Sequence, residues 1–278
     1  MEDLDLAASS IAHEAAQLAA LSAIGVDWDG EVVRQSERFE SYNAALDLIA
    51  GQGLTYECFC TRAEIRDAVH APHGQASGGR MNDELTAEGA YPGTCRELTE
   101  SARRRYRESG RPPAIRLRAG NELVAISDDR FATVRGRVDD LVLRRNDGVP
   151  AYNLAVVVDD AAQGITEVVR GDDLLSSTPR QVLLQRLLGL PTPSYLHVPL
   201  VLGADGVRLA KRHGAVTLEQ LAGIGCGPGR VLSLLAASLG LADDAEQISS
   251  VELLGRFDPN CLPQEPWILP THLQRSVP

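Results

Sequence analysis

Lys211 is the sole lysine among the 27 Lys and Arg residues of a 278-residue chain. It lies in Gly203-Ala-Asp-Gly-Val-Arg-Leu-Ala-Lys-Arg-His-Gly214, a glycine-hinged loop that also carries Arg208, Arg212 and His213. Where nearly every cation is a planar guanidinium, one ammonium kept among clustered cations points to a need for a compact, mobile point charge. Phosphate chemistry has that need. A solvated basic loop is the competing reading of any charge run, and the flanking glycines and upstream residues weigh against it. A second reactive set is cysteine. Five widely scattered cysteines, an odd number, argue against a disulfide framework and for reduced thiols, some able to hold a metal.

The elements that carry these groups follow from spacing. Leu6 to Ile24 is alanine-rich with an apolar stripe at Ile11, Ala15, Leu18, Leu21 and Ala23, which predicts a helix stopped by Gly25. Ser36 is placed to cap a second helix whose Phe39, Tyr42, Leu46 and Ile49 recur at helical spacing before Gly51. Leu54-Thr-Tyr-Glu-Cys-Phe-Cys60 alternates like a strand, with Leu54, Tyr56, Cys58 and Cys60 on one face, and Thr61 with Glu64 forms a capping box for a further helix. Residues 70–90 show no period and read as a loop. Short β-like runs follow at Ala114–Arg118, Glu122–Ile126 and Leu141–Arg145.

Tyr152 to Asp160 is ambiguous between strand and helix, whereas Ile165 to Arg170 reads as a buried strand. Thr178 as N-cap, Pro179 at the first helical position and Gln181 then launch a helix through Leu188, closed by Gly189 and Pro191. His197–Leu202 is another apolar strand, so this stretch predicts a βαβ unit and a parallel sheet. From Leu218 the spacing predicts a small helical tail ending in a Pro-rich stretch over 262–278.

At 44% hydrophobic content the chain can bury a sizeable core. It contains no run of about 18 uninterrupted apolar residues, and Met1-Glu-Asp-Leu-Asp5 is acidic where a signal peptide is basic, so a cytoplasmic protein with no membrane association is expected. A net charge of −11 excludes a polyanion-binding surface of the histone kind. It leaves room for a local strip: Ser101-Ala-Arg-Arg-Arg-Tyr-Arg-Glu-Ser-Gly-Arg111 puts five arginines around one tyrosine, readable as an RNA contact or as an ordinary exposed helix face. A P-loop kinase is excluded, since Lys211 does not follow Gly-x4-Gly.

Val168-Val-Arg-Gly-Asp-Asp-Leu-Leu-Ser-Ser-Thr-Pro-Arg-Gln181, followed by Tyr195-Leu-His-Val-Pro199 and Arg208-Leu-Ala-Lys-Arg212, resembles the second half of a class I glutamyl-type aminoacyl-tRNA synthetase. The resemblance runs from residue 1 to about residue 220. It implies an α/β fold: a Rossmann-like parallel sheet from 1–52 and 150–215, an inserted zinc-binding module at 53–149 and a helical region at 216–278. The activity implied is that of the branch that activates L-glutamate with ATP and magnesium and joins it to queuosine in the anticodon of tRNA(Asp), as a monomer.

Residue by residue, the resemblance places Lys211 on the ATP-contacting lysine of the family's Lys-Met-Ser-Lys-Ser loop, with Arg208 on its first lysine and Ala210 on its serine. Lys211 is therefore the expected catalytic residue, able to neutralise charge building on the phosphoryl oxygens, and Arg208 a second ATP contact. Tyr152 and Arg170 match glutamate-binding residues; a guanidinium at a strand end can grip a carboxylate with two parallel hydrogen bonds. An ion pair of Arg170 with Asp172 or Asp173 is the rival. Glu2, in a segment similar to the family's Arg-x-Glu-Asp-x-Asp, matches the residue that receives the substrate's ammonium.

Cys58, Cys60, Tyr91 and Cys95 match the family's zinc ligands. His70 and His73 are rival fourth donors on chemical grounds, and Cys226 and Cys261 are expected to be plain thiols. The family's preceding strand, Ser-Pro-Thr-Gly loop and His-x-Gly turn find no match, so an N-terminally truncated form is expected, with those motifs encoded upstream. Two alternatives are an inactive, zinc-stabilised RNA-binding fragment and a glutamyl-tRNA synthetase, the latter needing a large anticodon-binding region after the Lys211 loop.

Overall fold

The computed structural model describes residues 1–5, 7, 9–70, 84–86, 90–209, 217–243 and 245–270. In chain order its elements are α1 (Ile11–Ala23), α2 (Phe39–Gly51), β1 (Thr55–Cys58), α3 (Arg62–His70), β2 (Glu84–Thr86), α4 (Glu100–Glu108), β3 (Ala114–Leu117), β4 (Glu122–Asp128), β5 (Ala132–Val138), β6 (Val142–Arg144), α5 (Tyr152–Ala162), β7 (Glu167–Gly171), α6 (Thr178–Leu188), β8 (Ser194–Val198), β9 (Val201–Leu202), α7 (Leu218–Gly223), α8 (Pro228–Ser238), α9 (Ser250–Arg256) and β10 (Trp267–Ile268). They fall into two compact units: Met1–Leu6 with Val33–Val169 and Leu174–Leu196, and Ala7–Val32 with Arg170–Asp173 and His197–Pro278.

In the first unit β1, β3 and β6 form an antiparallel sheet. A second sheet is the β4–β5 hairpin with β2 added parallel to β5. Strict alternation along β4 and β5 turns Val124, Ile126, Val134 and Val138 inward. The Asp128 carboxylate accepts from the backbone N–H groups of Arg130 and Phe131 and so shapes the hairpin turn. These side chains share one core with Ile49, Leu117, Leu143, Leu154, Val157 and Leu184, and α5 packs against both α2 and α6. Capping is where the spacing placed it at α3: Thr61 N donates to Glu64 Oε2 and Glu64 N to Thr61 Oγ1.

In the second unit β9 and β10 pair in parallel, and Leu221, Cys226, Leu234 and Leu269 form a smaller core. Helix α1 ends where Gly25 predicts, with Gly25 at φ +80°; a Cβ there would also collide with Ser250 Oγ. Its apolar stripe, however, buries no residue. Strands β7 and β8 are neighbours with α6 between them in the chain, the order expected of a βαβ unit.

Several local expectations change. Ser36 does not cap α2: it lies in a 3₁₀ turn, Gln35–Glu37, and its side chain donates to Asp3 instead. Helix α6 starts one residue early, with Ser177 as N-cap, because the Thr178 hydroxyl donates back to the Leu174 carbonyl rather than accepting from the helix. The ambiguous Tyr152–Asp160 run is helical. The Ile165–Arg170 run forms a strand but leaves Val169 57% exposed, and His197–Leu202 is split between β8 and β9. Strand β5 is a further element, with Gly136 inside it; a Cβ there would fall 2.5 Å from Pro179 Cγ, so the glycine serves the close approach of α6. Residues 70–90, read as a loop, contain β2; positions 71–83 and 87–89 lie outside the described residues.

Candidate functional site

Strand β1 ends at Cys58, and the chain carries Cys60 two residues on, beside the Tyr91 and Cys95 turn. The Sγ atoms of Cys58, Cys60 and Cys95 all lie within 4.8 Å of one another, and Cys60 and Cys95 are 3.4 Å apart. Tyr91 Oη stands 3.3 Å from Cys58 Sγ and 3.6 Å from Cys60 Sγ. A tetrahedral ion with metal–sulfur bonds of about 2.3 Å and a metal–oxygen bond of about 2.0 Å requires S···S edges of about 3.8 Å and S···O edges of about 3.5 Å. The Tyr91 distances fit the S···O edge and the Cys60–Cys95 pair is shorter than the S···S edge, so the three thiols and the phenol lie close enough to converge on one metal ion.

The surroundings bias the donors. Burial works to raise the Cys58 thiol, but contact with the Tyr91 hydroxyl and the Arg116 guanidinium outweighs it and holds the thiol below its ordinary range. Cys60 is pushed up to about 12, first by burial and then by its sulfur neighbour Cys95. Tyr91 is raised too, by burial and by its contacts with the three thiols.

A surrounding frame fixes these donors. Cys95 N donates to Tyr91 Oη at 2.8 Å, and Tyr91 N donates to Asp139 Oδ2 at 2.8 Å. The Arg116 guanidinium lies 3.7 Å from the Tyr91 ring centroid while its Nη1 donates to the Asp140 carbonyl at 2.7 Å. Asp140, fully buried, accepts from Tyr56 Oη, Arg96 Nε and Ala119 N. Sequence reasoning passed over Arg116, Asp139 and Asp140. Their signal was a charge inside the apolar run Ala114–Leu117 and an acidic pair between two strand-like runs. Of the rival donors, His73 and the side chain of His70 lie outside the described residues. Cys226 is a core thiol, and Cys261 is exposed.

The other expected residues are not gathered in one unit. Glu2 and Tyr152 belong to the first, Arg170 and Arg208 to the second, and Lys211 lies outside the described residues. Tyr152 opens α5. Arg170 Nε donates to Nε2 of the fully buried His197 at 3.1 Å. Asp173, one of the two suggested rival partners of Arg170, forms an ion pair with Arg208 at 2.5 Å. Gly171, next to Arg170, is closely packed: a Cβ there would fall 2.7 Å from Asp173 Oδ1 and 2.8 Å from Leu200 Cδ2. The arginine strip lies on α4 and just beyond its end: Arg104 pairs with Glu108, Arg107 with Glu57 and Glu100, and Arg111, three residues past the helix, with Glu64. Those pairs give it the character of an ordinary charged face.

Comparison with known proteins adds an independent line. The family model "tRNA synthetases class I (E and Q), catalytic domain" matches residues 1–273. A glutamyl-Q tRNA(Asp) synthetase of Nocardia farcinica is 55% identical over 97% of this chain and 81% of its own length. One from Symbiobacterium thermophilum is 45% identical over 97% and 84%. Among solved structures, the glutamate-tRNA synthetase of Elizabethkingia anophelis superposes with a TM-score of 0.74 at 26% identity, over 98% of this chain and 61% of that one.

Proposed function

The chain belongs to the class I tRNA synthetases for Glu and Gln, among the glutamyl-Q tRNA(Asp) synthetases, and from that membership we propose that it glutamylates queuosine in the anticodon of tRNA(Asp). The observation that carries the reading is 55% identity sustained over 97% of the chain. In the first step a glutamate carboxylate oxygen attacks the α-phosphorus of magnesium-bound ATP, and pyrophosphate leaves with the electron pair of the broken P–O bond. In the second a queuosine hydroxyl attacks the activated carbonyl and AMP departs.

Each candidate residue has a physical task in this scheme. Arg170 holds the side-chain carboxylate of glutamate, its guanidinium oriented by the hydrogen bond to His197. Glu2 takes the ammonium and Tyr152 the remaining polar edge. Lys211 neutralises charge growing on the phosphoryl oxygens, and Arg208 is a second phosphate contact once released from Asp173. Cys58, Cys60, Tyr91 and Cys95 would hold zinc, which when bound cross-links strand and turn as a closed structural site. We assign 1–52 and 150–215 to catalysis, 53–149 to the inserted module and 216–278 to a helical region, acting as a cytoplasmic monomer.

The test is transfer of labelled glutamate to tRNA(Asp) with and without queuosine, beside tRNA(Glu). Label should enter only the queuosine-bearing tRNA(Asp). Labelling of tRNA(Glu) at its acceptor end would instead identify a glutamate–tRNA ligase.

A further inference from the structure

Asp159 is a buried carboxylate on α5 that the mechanism above does not use. Arg38 Nε donates to it at 2.7 Å, Gln35 Nε2 at 3.2 Å and Tyr42 Oη at 2.8 Å. The same short stretch of chain turns its other side to the N-terminal segment. Gln35 N donates to the Met1 carbonyl at 3.1 Å, Ser36 N to Asp3 Oδ1 at 2.9 Å and Ser36 Oγ to Asp3 Oδ2 at 2.5 Å. Gln35 thus grips α5 with its side chain and the N-terminal segment with its main chain, and all of these residues lie in one compact unit.

What the two grips hold is informative. Glu2 sits between the two anchored residues, Met1 and Asp3. Tyr152 precedes Asp159 on α5 by seven positions, two helical turns, which places both on the same face of the helix. Fastening α2 to α5 does not by itself call for charge, since Leu46, Ile49, Leu154 and Val157 already pack there. A buried ion pair is often no more stabilising than apolar groups of the same shape, but its hydrogen bonds have fixed lengths and directions that apolar packing lacks.

We propose that the Gln35–Arg38 turn is a positioning clamp for the glutamate pocket, fixing Glu2 through Met1 and Asp3, and the Tyr152 end of α5 through Asp159. The inference rests on the reading of Glu2 and Tyr152 as glutamate contacts. Gln35, Ser36, Arg38 and Asp159 are positioning residues, which act through those two side chains.

Calorimetric titration of the full chain with glutamate and, separately, with ATP tests it, alongside thermal denaturation. Ser36→Ala should weaken glutamate binding on the order of tenfold, the usual effect of losing a hydrogen bond to a charged group, and leave ATP binding within about twofold. Ser36→Thr, which keeps the hydroxyl, should restore glutamate affinity, and Asp159→Asn should reproduce the selective loss. The clamp is overturned if Ser36→Ala leaves glutamate affinity unchanged while Glu2→Gln lowers it, an outcome that spares the glutamate assignment. Parallel weakening of both ligands together with a fall in Tm would also overturn it, since that marks a structural role only. If Glu2→Gln and Tyr152→Phe both leave glutamate affinity intact, the assignment fails and the clamp with it.

Discussion

Tyr91→Phe isolates one hydroxyl in the cysteine cluster, because the phenyl ring can keep its place beneath Arg116. In metal-free protein the change removes the acceptor for Cys95 N, now 2.8 Å from Tyr91 Oη, and the weaker contacts of that oxygen with the Cys58 and Cys60 thiols. An orphaned buried N–H costs about 1–3 kcal/mol, so chelator-treated variant and parent should differ by no more than that. In metal-loaded protein the variant also loses a donor whose distances to Cys58 and Cys60, 3.3 and 3.6 Å, match a tetrahedral edge. Loss of an outer-shell partner commonly lowers metal affinity roughly 10–100-fold, and loss of a direct donor should exceed that range. Competition for zinc against a chromophoric chelator reads the affinity, and denaturation with and without chelator separates the two contributions. An affinity within about twofold of the parent would refute the tyrosine donor. A large loss on His70→Ala or His73→Ala, with Tyr91→Phe silent, would assign the fourth position to histidine.

Three further outcomes are expected. Cys60→Ser should bring zinc well below one ion per chain by elemental analysis and lower Tm. Arg170→Ala should raise the glutamate KM by orders of magnitude, since breaking a buried charge pair on one side costs on the order of 3–5 kcal/mol, while the ATP KM stays put; equal damage to both would mark Arg170 as structural. Lys211→Met should depress kcat for adenylate formation far more than glutamate binding, and full activity of Lys211→Arg would defeat the argument from a compact charge. Acid stability offers a fourth: burial tends to raise the Asp3 carboxyl, but the Ser36 hydrogen bonds prevail and hold it below 3.8. Its contribution is complete above that value and is lost as pH falls through the lower folded-state value, so Ser36→Ala should flatten the stability–pH curve below about pH 4. An unchanged slope would show that Asp3 titrates alike folded and unfolded.

What sequence alone determined here is local or motif-borne. The helical spacing of Phe39, Tyr42, Leu46 and Ile49, the capping box of Thr61 and Glu64, and the Gly25 stop each depend on near neighbours in the chain, and each is present as read. The cysteine cluster was foreshadowed by two short clips, Cys58 with Cys60 and Tyr91 with Cys95, whose match to the family's zinc ligands came with the resemblance. Tertiary structure decided everything that depended on a distant partner. Ser36 gave up a helix cap for Asp3, and Gly136 admits the approach of Pro179. Gly171 proved to be packed against Leu200. Arg116 became a cation over a phenol, and Asp159 the shared acceptor of three donors more than a hundred residues away. No local pattern encodes these contacts. A buried polar group must find its complement wherever the fold brings one, and which residue that is depends on side chains meeting across the core rather than on their spacing along the chain.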